Sequence, residues 1–168
     1  MRAQNDSKTI HLFVDTGSSI AVNDKTFILK EIHFHTTSEH TFNGVVSPGE
    51  IHFVHESSDG EVAYVAALVQ VGNENKAIAT ILSELPAEPG DPIEVDLFFN
   101  AFDFLPESKT FYRYDGSLTT PACTEGVTWI VLQNHLIMSS TQINGLRGIM
   151  GLNFRPVQPL NGRTISQN

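Results

Sequence analysis

The chain has 168 residues, of which 40% are hydrophobic and 17% charged, a composition typical of a globular protein with a buried core. Nineteen acidic and ten basic residues give a net charge of -9, which argues against a nucleic-acid partner because a phosphate backbone would be repelled. No apolar stretch approaches the roughly 20 residues of a spanning helix, and the first six residues lack the apolar core of a signal peptide. We therefore expect neither a nucleic-acid partner nor a membrane.

The first two thirds of the chain is rich in strand signals, namely β-branched and aromatic residues separated by turn residues. Five runs predict strands, at residues 9–14, 19–22, 26–36, 50–55 and 61–71. The first three, with a turn at residues 23–25, predict a meander of antiparallel strands. The last two are joined by turn residues, and the second of them is almost continuously apolar, as a central strand would be. We therefore expect this pair deep in the sheet.

Two short helices are predicted in the rest of the chain. Apolar residues recur at helical spacing over residues 77–85 until a proline stops them. A second helix is predicted over residues 139–150, capped by one of the hydroxyl residues at 139–141 and ended by Gly151. Both helices are expected at the periphery of the sheet.

The remaining segments complete the predicted architecture. Coil containing Pro and Gly runs through residues 90–92, residues 127–132 predict a buried strand, and the tail at 153–168 predicts an extended loop. No internal repeat or low-complexity tract divides the chain. We therefore predict a single domain over residues 1–168, mostly β with a few peripheral helices.

Histidines cluster on two of the predicted strands. Side chains alternate faces along a strand, so His33 and His35 point the same way, about 6.5 to 7 Å apart. On the strand at residues 50–55, His52 shares a face with Glu50. If the two strands are antiparallel neighbours about 4.8 Å apart, His52 completes a triangle with the other two histidines. Three imidazoles at about 2.0 to 2.1 Å from an ion leave the fourth tetrahedral position open, as in catalytic zinc sites.

The same pattern has an ordinary structural interpretation. A lone histidine on a strand is more often a core or surface residue than a metal ligand. The His-x-His pair favours a metal site, and so do carboxylates placed to accept from the ligand rings, Glu50 for His52 and Glu31 for His33. The periodicity therefore predicts a three-histidine metal site, with zinc as the natural ion, and goes no further.

Four motifs follow one another along the chain. They are Ile-His-Phe-His with Ser-Glu-His-Thr at 32–41, Glu-Ile-His-Phe-Val-His at 50–55, the runs at 112–121 and 125–129, and Asn-Phe-Arg-Pro-Val-Gln-Pro-Leu at 153–160. Together they resemble the α-class carbonic anhydrases, from about Asn5 to the C-terminus. The resemblance implies a twisted, largely antiparallel ten-stranded sheet with Zn2+ at the foot of a conical cleft. The implied reaction is the reversible hydration of carbon dioxide to bicarbonate and a proton, by attack of zinc-bound hydroxide.

The resemblance also assigns roles to individual residues. His33, His35 and His52 would ligate zinc, while Glu50 and Glu31 would accept hydrogen bonds from His52 and His33. These assignments coincide with the positions that strand alternation brings to one face. The partner implied by them is a small molecule, carbon dioxide or bicarbonate.

Further residues would orient and enclose the substrate. Thr119 would accept a hydrogen bond from the hydroxide and donate its own proton to Glu39, because a hydroxyl has one donor hydrogen and two lone pairs. Thr120 would help to hold bicarbonate. The expected apolar wall consists of Val54, Leu118, Val127 and Trp129. From the residues alone, a turn threonine before Pro121 is the preferred interpretation of Thr119. Glu39 is then a solvated loop carboxylate and Trp129 a core aromatic residue.

Two positions depart from the family pattern. Tyr64 occupies a position in the substrate pocket where relatives carry a small aliphatic residue, so its ring would fill space that the substrate needs. Lys8 falls where fast members carry a proton-shuttling histidine, and its ordinary pKa of about 10.4 suits proton transfer near pH 7 poorly. We expect buffer-limited turnover unless His11 takes over this role. The alternative function is a zinc-containing binding or structural module with weak or no activity.

The resemblance further implies that the family domain begins about fifty residues before this chain does. We therefore expect a domain that lacks the usual N-terminal segment. Cys123 lies where relatives often place one half of a disulfide whose partner belongs to that segment. An uncovered sheet edge would favour a homodimer. Bacterial members are commonly exported, which suggests a periplasmic or extracellular location, although this chain carries no signal peptide.

Overall fold

The computed structural model describes residues 1–15, 17–97, 100–101 and 105–168. The strands are β1 (Arg2–Asn5), β2 (Ile10–Phe13), β3 (Ser19–Val22), β4 (Lys25–His35), β5 (Thr41–Phe42), β6 (Val45–Val46), β7 (Glu50–Ser57), β8 (Val62–Val71), β9 (Ile93–Glu94), β10 (Phe111–Ser117), β11 (Glu125–Leu132), β12 (Leu136–Met138) and β13 (Ser166–Gln167). The helices are α1 (Lys76–Glu84) and α2 (Ser140–Met150). The two predicted helices and the six predicted strands, including residues 127–132 in β11, are therefore confirmed to within a few residues.

One mixed sheet holds most of these strands. Its main path runs β13-β10-β11-β8-β7-β4-β2-β1-β9, while β12 also pairs with β8 and β3 also pairs with β4. The pairs of β8 with β11 and β12 are parallel, and the other pairs along this path are antiparallel. The fold is mostly β, as predicted, and β7 and β8 lie at its centre. Within the described residues this sheet has eleven strands, where ten were expected, because very short strands such as β9 and β13 extend its edges, and β5 and β6 pair separately.

The predicted meander of the first strands is wrong in its pairing. β2 and β3 do not pair with each other, since both pair with β4, one after the other along its length. β4 has eleven residues, enough to pair with two four-residue strands in succession. The turn between β3 and β4 consists of Asn23 and Asp24, both with positive φ, which suits the twist of a two-residue hairpin.

The two faces of the sheet carry different side chains. One face packs against the helices and forms the larger core, to which Ile32, Phe34, Ile51 and Phe53 contribute from β4 and β7. The other face carries a smaller cluster that consists of Tyr64, Ala66, Leu68, Val127, Trp129 and Val131. Because neighbouring residues of a strand point to opposite faces, the histidines between these core residues lie on the face of the smaller cluster.

Local signals explain where the second helix begins and ends. Of the three predicted capping residues, Ser139 is the one used: its side chain accepts from the backbone N–H of Gln142, whose side chain accepts from the backbone N–H of Ser139. The helix ends at Gly151, which has a φ of 67°. Neither helix in the described part of the chain is long and apolar enough to cross a membrane.

The C-terminal tail departs from the prediction at one point. Residues 153–165 form no helix or strand, as expected, but β13 follows and pairs with the edge strand β10. A strand of two residues is too short to leave a periodic pattern in the sequence. The pairing therefore depends on the presence of the β10 edge.

Candidate metal centre

Three imidazoles converge where β4 and β7 pair. His33 lies directly opposite His52 in the antiparallel register, and His35 follows two residues later on β4. His52 Nδ1 is 3.1 Å from His33 Nε2 and 3.2 Å from His35 Nε2. All three side chains are buried. The structure thus brings together the three residues that strand alternation indicated as one group.

The other nitrogen of each ring faces a hydrogen-bond acceptor. The acceptors are Glu31 Oε1 for His33 Nδ1 (2.7 Å), the backbone oxygen of Asn153 for His35 Nδ1 (2.7 Å) and Glu50 Oε1 for His52 Nε2 (2.6 Å). Carboxylate and carbonyl oxygens only accept, so these outer nitrogens carry the protons. When the rings are neutral, the three inner nitrogens, which face one another, carry no proton and each presents a lone pair.

Three lone pairs directed at one point repel one another unless a cation lies between them. Ligand atoms at 2.0 to 2.1 Å from a tetrahedral ion are about 3.3 Å apart, and the two measured distances of 3.1 and 3.2 Å are close to that spacing. Neutral imidazoles are a donor set that suits zinc. The group therefore fits a divalent metal ion, and three protein ligands would leave one tetrahedral position for a fourth.

Burial keeps two of these rings neutral. It lowers the pKa of His52 well below the usual range, and the proximity of His35 lowers that pKa further. Burial also lowers the pKa of His35. Since neutral imidazole is the form that binds metal, protons compete weakly for these two ligands near pH 7.

Glu50 connects the centre to a wider hydrogen-bond network. Its Oε2 accepts from the backbone N–H groups of Glu39 and His40, each at 2.9 Å, and its Oε1 accepts from His40 Nδ1 as well as from His52. Burial by itself would raise the pKa of Glu50, but the charge of His40 and the hydrogen bonds from His40 and His52 outweigh burial and hold that pKa well below the usual range. The hydroxyl of Tyr114 lies 2.7 Å from His40 Nε2 and completes the network.

Sequence reasoning did not assign His40 and Tyr114 to the site. Both lie in motifs that carry the family resemblance, Ser-Glu-His-Thr at 38–41 and the run at 112–121. Membership of these motifs was the sequence feature that could have identified them. Their contacts join residues 74 positions apart, which periodicity within one strand cannot reveal. They support the carboxylate that holds the proton of His52.

Glu39 has one paired and one unpaired oxygen. Its Oε1 accepts from the backbone N–H of Arg155 at 2.7 Å. Its Oε2 is buried and has no hydrogen-bond partner within the described residues. Thr119, the donor expected for this carboxylate, is half-buried on the turn after β10 and forms no hydrogen bond with it in this structure. A buried acceptor without a donor is costly, so the site favours a hydroxyl donor at this oxygen.

The segment after α2 passes directly beside the centre. Besides accepting from His35, Asn153 accepts from the backbone N–H of Thr36 and donates to the backbone oxygen of Phe34, both at 2.8 Å. Sequence reasoning gave no role to Asn153 or Arg155. The contacts of this segment with His35 and Glu39 are made by the backbone atoms of Asn153 and Arg155, which leave no side-chain signature in the sequence. Only the motif at 153–160 pointed to this segment.

Aromatic rings lie close beside the histidines. The Trp129 ring is 4.9 Å from the His52 ring and 4.7 Å from the Tyr64 ring, measured between centroids. The Tyr64 ring in turn lies 5.7 Å from His52 and 6.0 Å from His33. Burial raises the pKa of Tyr64 to about 12, so its phenol is neutral near pH 7. The Tyr64 ring therefore occupies space directly beside two of the three histidines.

The remaining residues of the expected apolar wall lie on the same face. Val127 belongs to the small cluster with Trp129, and Val54 and Leu118 pack against that cluster. Thr120 is exposed on the turn that also carries Thr119. Cys123, on the same turn, is a free thiol.

The two residues expected in proton transfer differ in their surroundings. Lys8 is exposed between β1 and β2. His11 lies opposite His33 in the pairing of β2 with β4, where its Nδ1 donates to Glu31 Oε1 at 2.7 Å and its Nε2 is 3.3 Å from Asp6 Oδ2. Burial would lower the pKa of His11, but the two carboxylates raise it. Burial would raise the pKa of Glu31, but the two imidazoles lower it to about 2.

Comparison with known proteins gives consistent matches. The family model described as eukaryotic-type carbonic anhydrase matches residues 1–168. A curated carbonic anhydrase from Pectobacterium atrosepticum is 38% identical over 162 residues, which cover 96% of this chain and 66% of that protein. Another, from Klebsiella pneumoniae, is 41% identical over 166 residues, which cover 96% of this chain and 67% of that protein. The chain thus spans about two thirds of the length of these curated relatives.

A solved structure matches almost the whole chain. The α-carbonic anhydrase from Thermovibrio ammonificans, in complex with the inhibitor sulfanilamide, has a TM-score of 0.95 and 40% sequence identity to this chain. The match covers 98% of this chain and 74% of that one.

Proposed function

This chain belongs to the family of eukaryotic-type carbonic anhydrases, and from that premise we propose that it catalyses the zinc-dependent, reversible hydration of carbon dioxide to bicarbonate and a proton. The observation that carries the proposal is the convergence of three imidazole nitrogens whose opposite nitrogens all donate to acceptors. We further propose that residues 1–168 act as a single domain.

We assign His33, His35 and His52 as the ligands of Zn2+. Zinc lowers the pKa of a bound water to about 7, a value established for carbonic anhydrases themselves, and so supplies a nucleophile at neutral pH. The acceptors behind the rings hold each proton on the outer nitrogen, so the inner nitrogen stays available for the metal. Glu50 and Glu31 serve His52 and His33 in this way.

Thr119 and Glu39 are proposed to orient the attacking oxygen. The unpaired Oε2 of Glu39 needs a donor, and the Thr119 hydroxyl has one hydrogen to give. Once that hydrogen is committed to the carboxylate, the threonine oxygen can only accept from the nucleophile. This arrangement turns a lone pair of the attacking oxygen toward the carbon atom and selects ligands that carry a proton.

The substrate pocket is proposed to lie beside the histidines on the face of the small cluster. An apolar wall suits carbon dioxide, which is linear and uncharged, better than it suits a charged molecule. Thr120, exposed at the rim, would hold the bicarbonate product. The wall residues are Val54, Leu118, Val127 and Trp129, together with Tyr64.

The position of Tyr64 favours a second candidate function, a zinc-containing module with weak or no turnover. Its ring lies within 6.0 Å of the rings of His33 and His52, in space that a substrate approaching these residues would need. In this case the metal would bind as proposed, but hydration of carbon dioxide would be slow. The two candidates differ in activity and agree in metal content.

Metal analysis and hydration assays on the purified full chain separate these possibilities. We expect one zinc ion per chain and carbon dioxide hydration that a sulfonamide abolishes. One zinc per chain without sulfonamide-sensitive hydration would support the module. Failure of the folded chain to take up zinc, with folding checked by circular dichroism, would overturn both candidates.

A further inference from the structure

The three groups that accept hydrogen bonds from the histidine rings differ in how firmly their own positions are fixed. The acceptor for His35 is a backbone oxygen, and the acceptor for His52 is Glu50, a fully buried carboxylate that also accepts two backbone N–H groups. The acceptor for His33 is Glu31, whose side chain is 22% exposed. A partly exposed glutamate has several rotamers, so its oxygen needs a further contact to stay in place.

His11 supplies that contact. Its Nδ1 and the Nδ1 of His33 both donate to the same oxygen of Glu31, each at 2.7 Å. Two donors that approach from different strands define the position of one oxygen far better than one donor does. The His11 ring is held in turn by Phe13, which stacks on it at 5.8 Å with an interplanar angle of 7°.

Asp6 extends the chain of contacts by one residue. Its Oδ1 accepts from the backbone N–H groups of Lys8 and Thr9, at 2.8 and 2.7 Å, which fixes the carboxylate on the turn between β1 and β2. Its Oδ2 then lies 3.3 Å from Nε2 of His11. The contacts run from a surface turn through His11 and Glu31 to His33.

We propose that Asp6 and His11 are positioning residues of the metal centre, which hold the Glu31 oxygen that orients His33. Both ring nitrogens of His11 are engaged in this chain, so the geometry points to positioning in place of the proton transfer expected of this residue. The inference rests on the proposed function, because it requires that His33 ligates a metal ion. Loss of a partner outside the ligand shell typically weakens metal binding about 10- to 100-fold.

The test uses the full chain loaded with Co2+, whose visible absorption reports ligand geometry. We expect His11→Leu to release cobalt to a chelator about tenfold faster than the unsubstituted chain and to change the visible spectrum. His11→Gln, which retains a donor for Glu31, should restore much of both properties. His135→Leu is the matched control, because that half-buried histidine lies outside the centre against Phe42.

Asp6→Asn is the second test variant, to be used if His11→Leu does not fold. It keeps an oxygen that accepts from the backbone of the turn and changes only the group that faces His11. We expect it to speed cobalt release by a smaller factor than His11→Leu does. Cobalt release and spectra equal to those of the unsubstituted chain, in His11→Leu if it folds or otherwise in Asp6→Asn, would overturn the positioning role alone. An unsubstituted chain that folds but binds no cobalt would overturn the proposed function together with it.

Discussion

Two histidines lie three residues apart on β7, and both are buried, yet their surroundings differ. His52 faces His33 and His35, with its outer nitrogen held by a carboxylate. His55 points to the opposite face of the strand, where its Nδ1 donates to the backbone oxygen of Phe53 at 2.9 Å. No group of metal-capable side chains found within the described residues includes His55.

The comparison shows that burial of a histidine does not by itself indicate a metal ligand. Burial lowers the pKa of both residues, to about 4 for His55 and well below the usual range for His52. What distinguishes His52 is the convergence of other ring nitrogens on its own. One face of β7 is therefore suited to bind a cation, and the other buries a neutral imidazole among apolar residues.

The same substitution at both positions is the strongest test of this difference. His52→Gln should lower zinc affinity more than about 100-fold and abolish hydration, because loss of a partner outside the ligand shell alone costs about 10- to 100-fold. His55→Gln should retain one zinc per chain. Metal analysis after dialysis at low free zinc measures both. Equal zinc content in the two variants would contradict the distinction between the faces.

The free energy of unfolding should depend on pH through His55. Below pH 6.5 the unfolded chain protonates this residue, but the folded chain does not until about pH 4. The unfolded state therefore binds more protons in this range, and stability falls as the pH falls, by about 3 kcal/mol over the full window. Urea unfolding of the metal-free chain at pH 7 and pH 4.5 measures the loss.

His55→Gln is the matched variant for this measurement, because it removes the titrating group and leaves the other histidines in place. Its stability should fall less between the two pH values than that of the unsubstituted chain. An identical pH dependence in both proteins would show that His55 is not protonated on unfolding in this range.

The proposed hydration should also require groups beside the three histidines on the same face. Thr119→Val removes the hydroxyl proposed as donor to Glu39 and should lower kcat/KM for carbon dioxide about 100-fold, with zinc content unchanged. Thr124→Val, at an exposed position on the same turn, is the control and should leave activity unaltered. Full activity in Thr119→Val would remove this residue from the proposed mechanism.

The smallest effect is expected at Tyr64, which tests whether ring size limits the substrate. Tyr64→Val should raise kcat/KM for carbon dioxide about tenfold by opening space beside the histidines. Tyr64→Phe keeps the ring and should remain at the level of the unsubstituted chain. A rise in Tyr64→Phe equal to that in Tyr64→Val would assign the effect to the hydroxyl. Hydration assays well below the melting temperature avoid confusion with the stability lost on truncation.

Much of the fold and the central residues of the candidate site could be predicted from local pattern. Alternation placed His33 and His35 on one face of β4, because side-chain direction in a strand depends only on neighbouring residues. That His52 joins them was predicted on condition that β4 and β7 are antiparallel neighbours, which the structure confirms. Strand pairing was less predictable. The meander was wrong because the length of β4, and not the order of the strands along the chain, decided that β2 and β3 both pair with it.

The sequence by itself determined the helices, the central strands and the three histidines, since each depends on periodicity, capping or motif within a short stretch. Only the tertiary structure decided what supports those histidines. The acceptor for His35 lies 118 positions away along the chain, and it is a backbone oxygen that any residue type could provide. His11 on β2 contacts Glu31 on the neighbouring strand β4, and the two residues are 20 positions apart in the sequence. Such contacts depend on which segments the folded chain brings together, and that is decided by packing of the whole sheet.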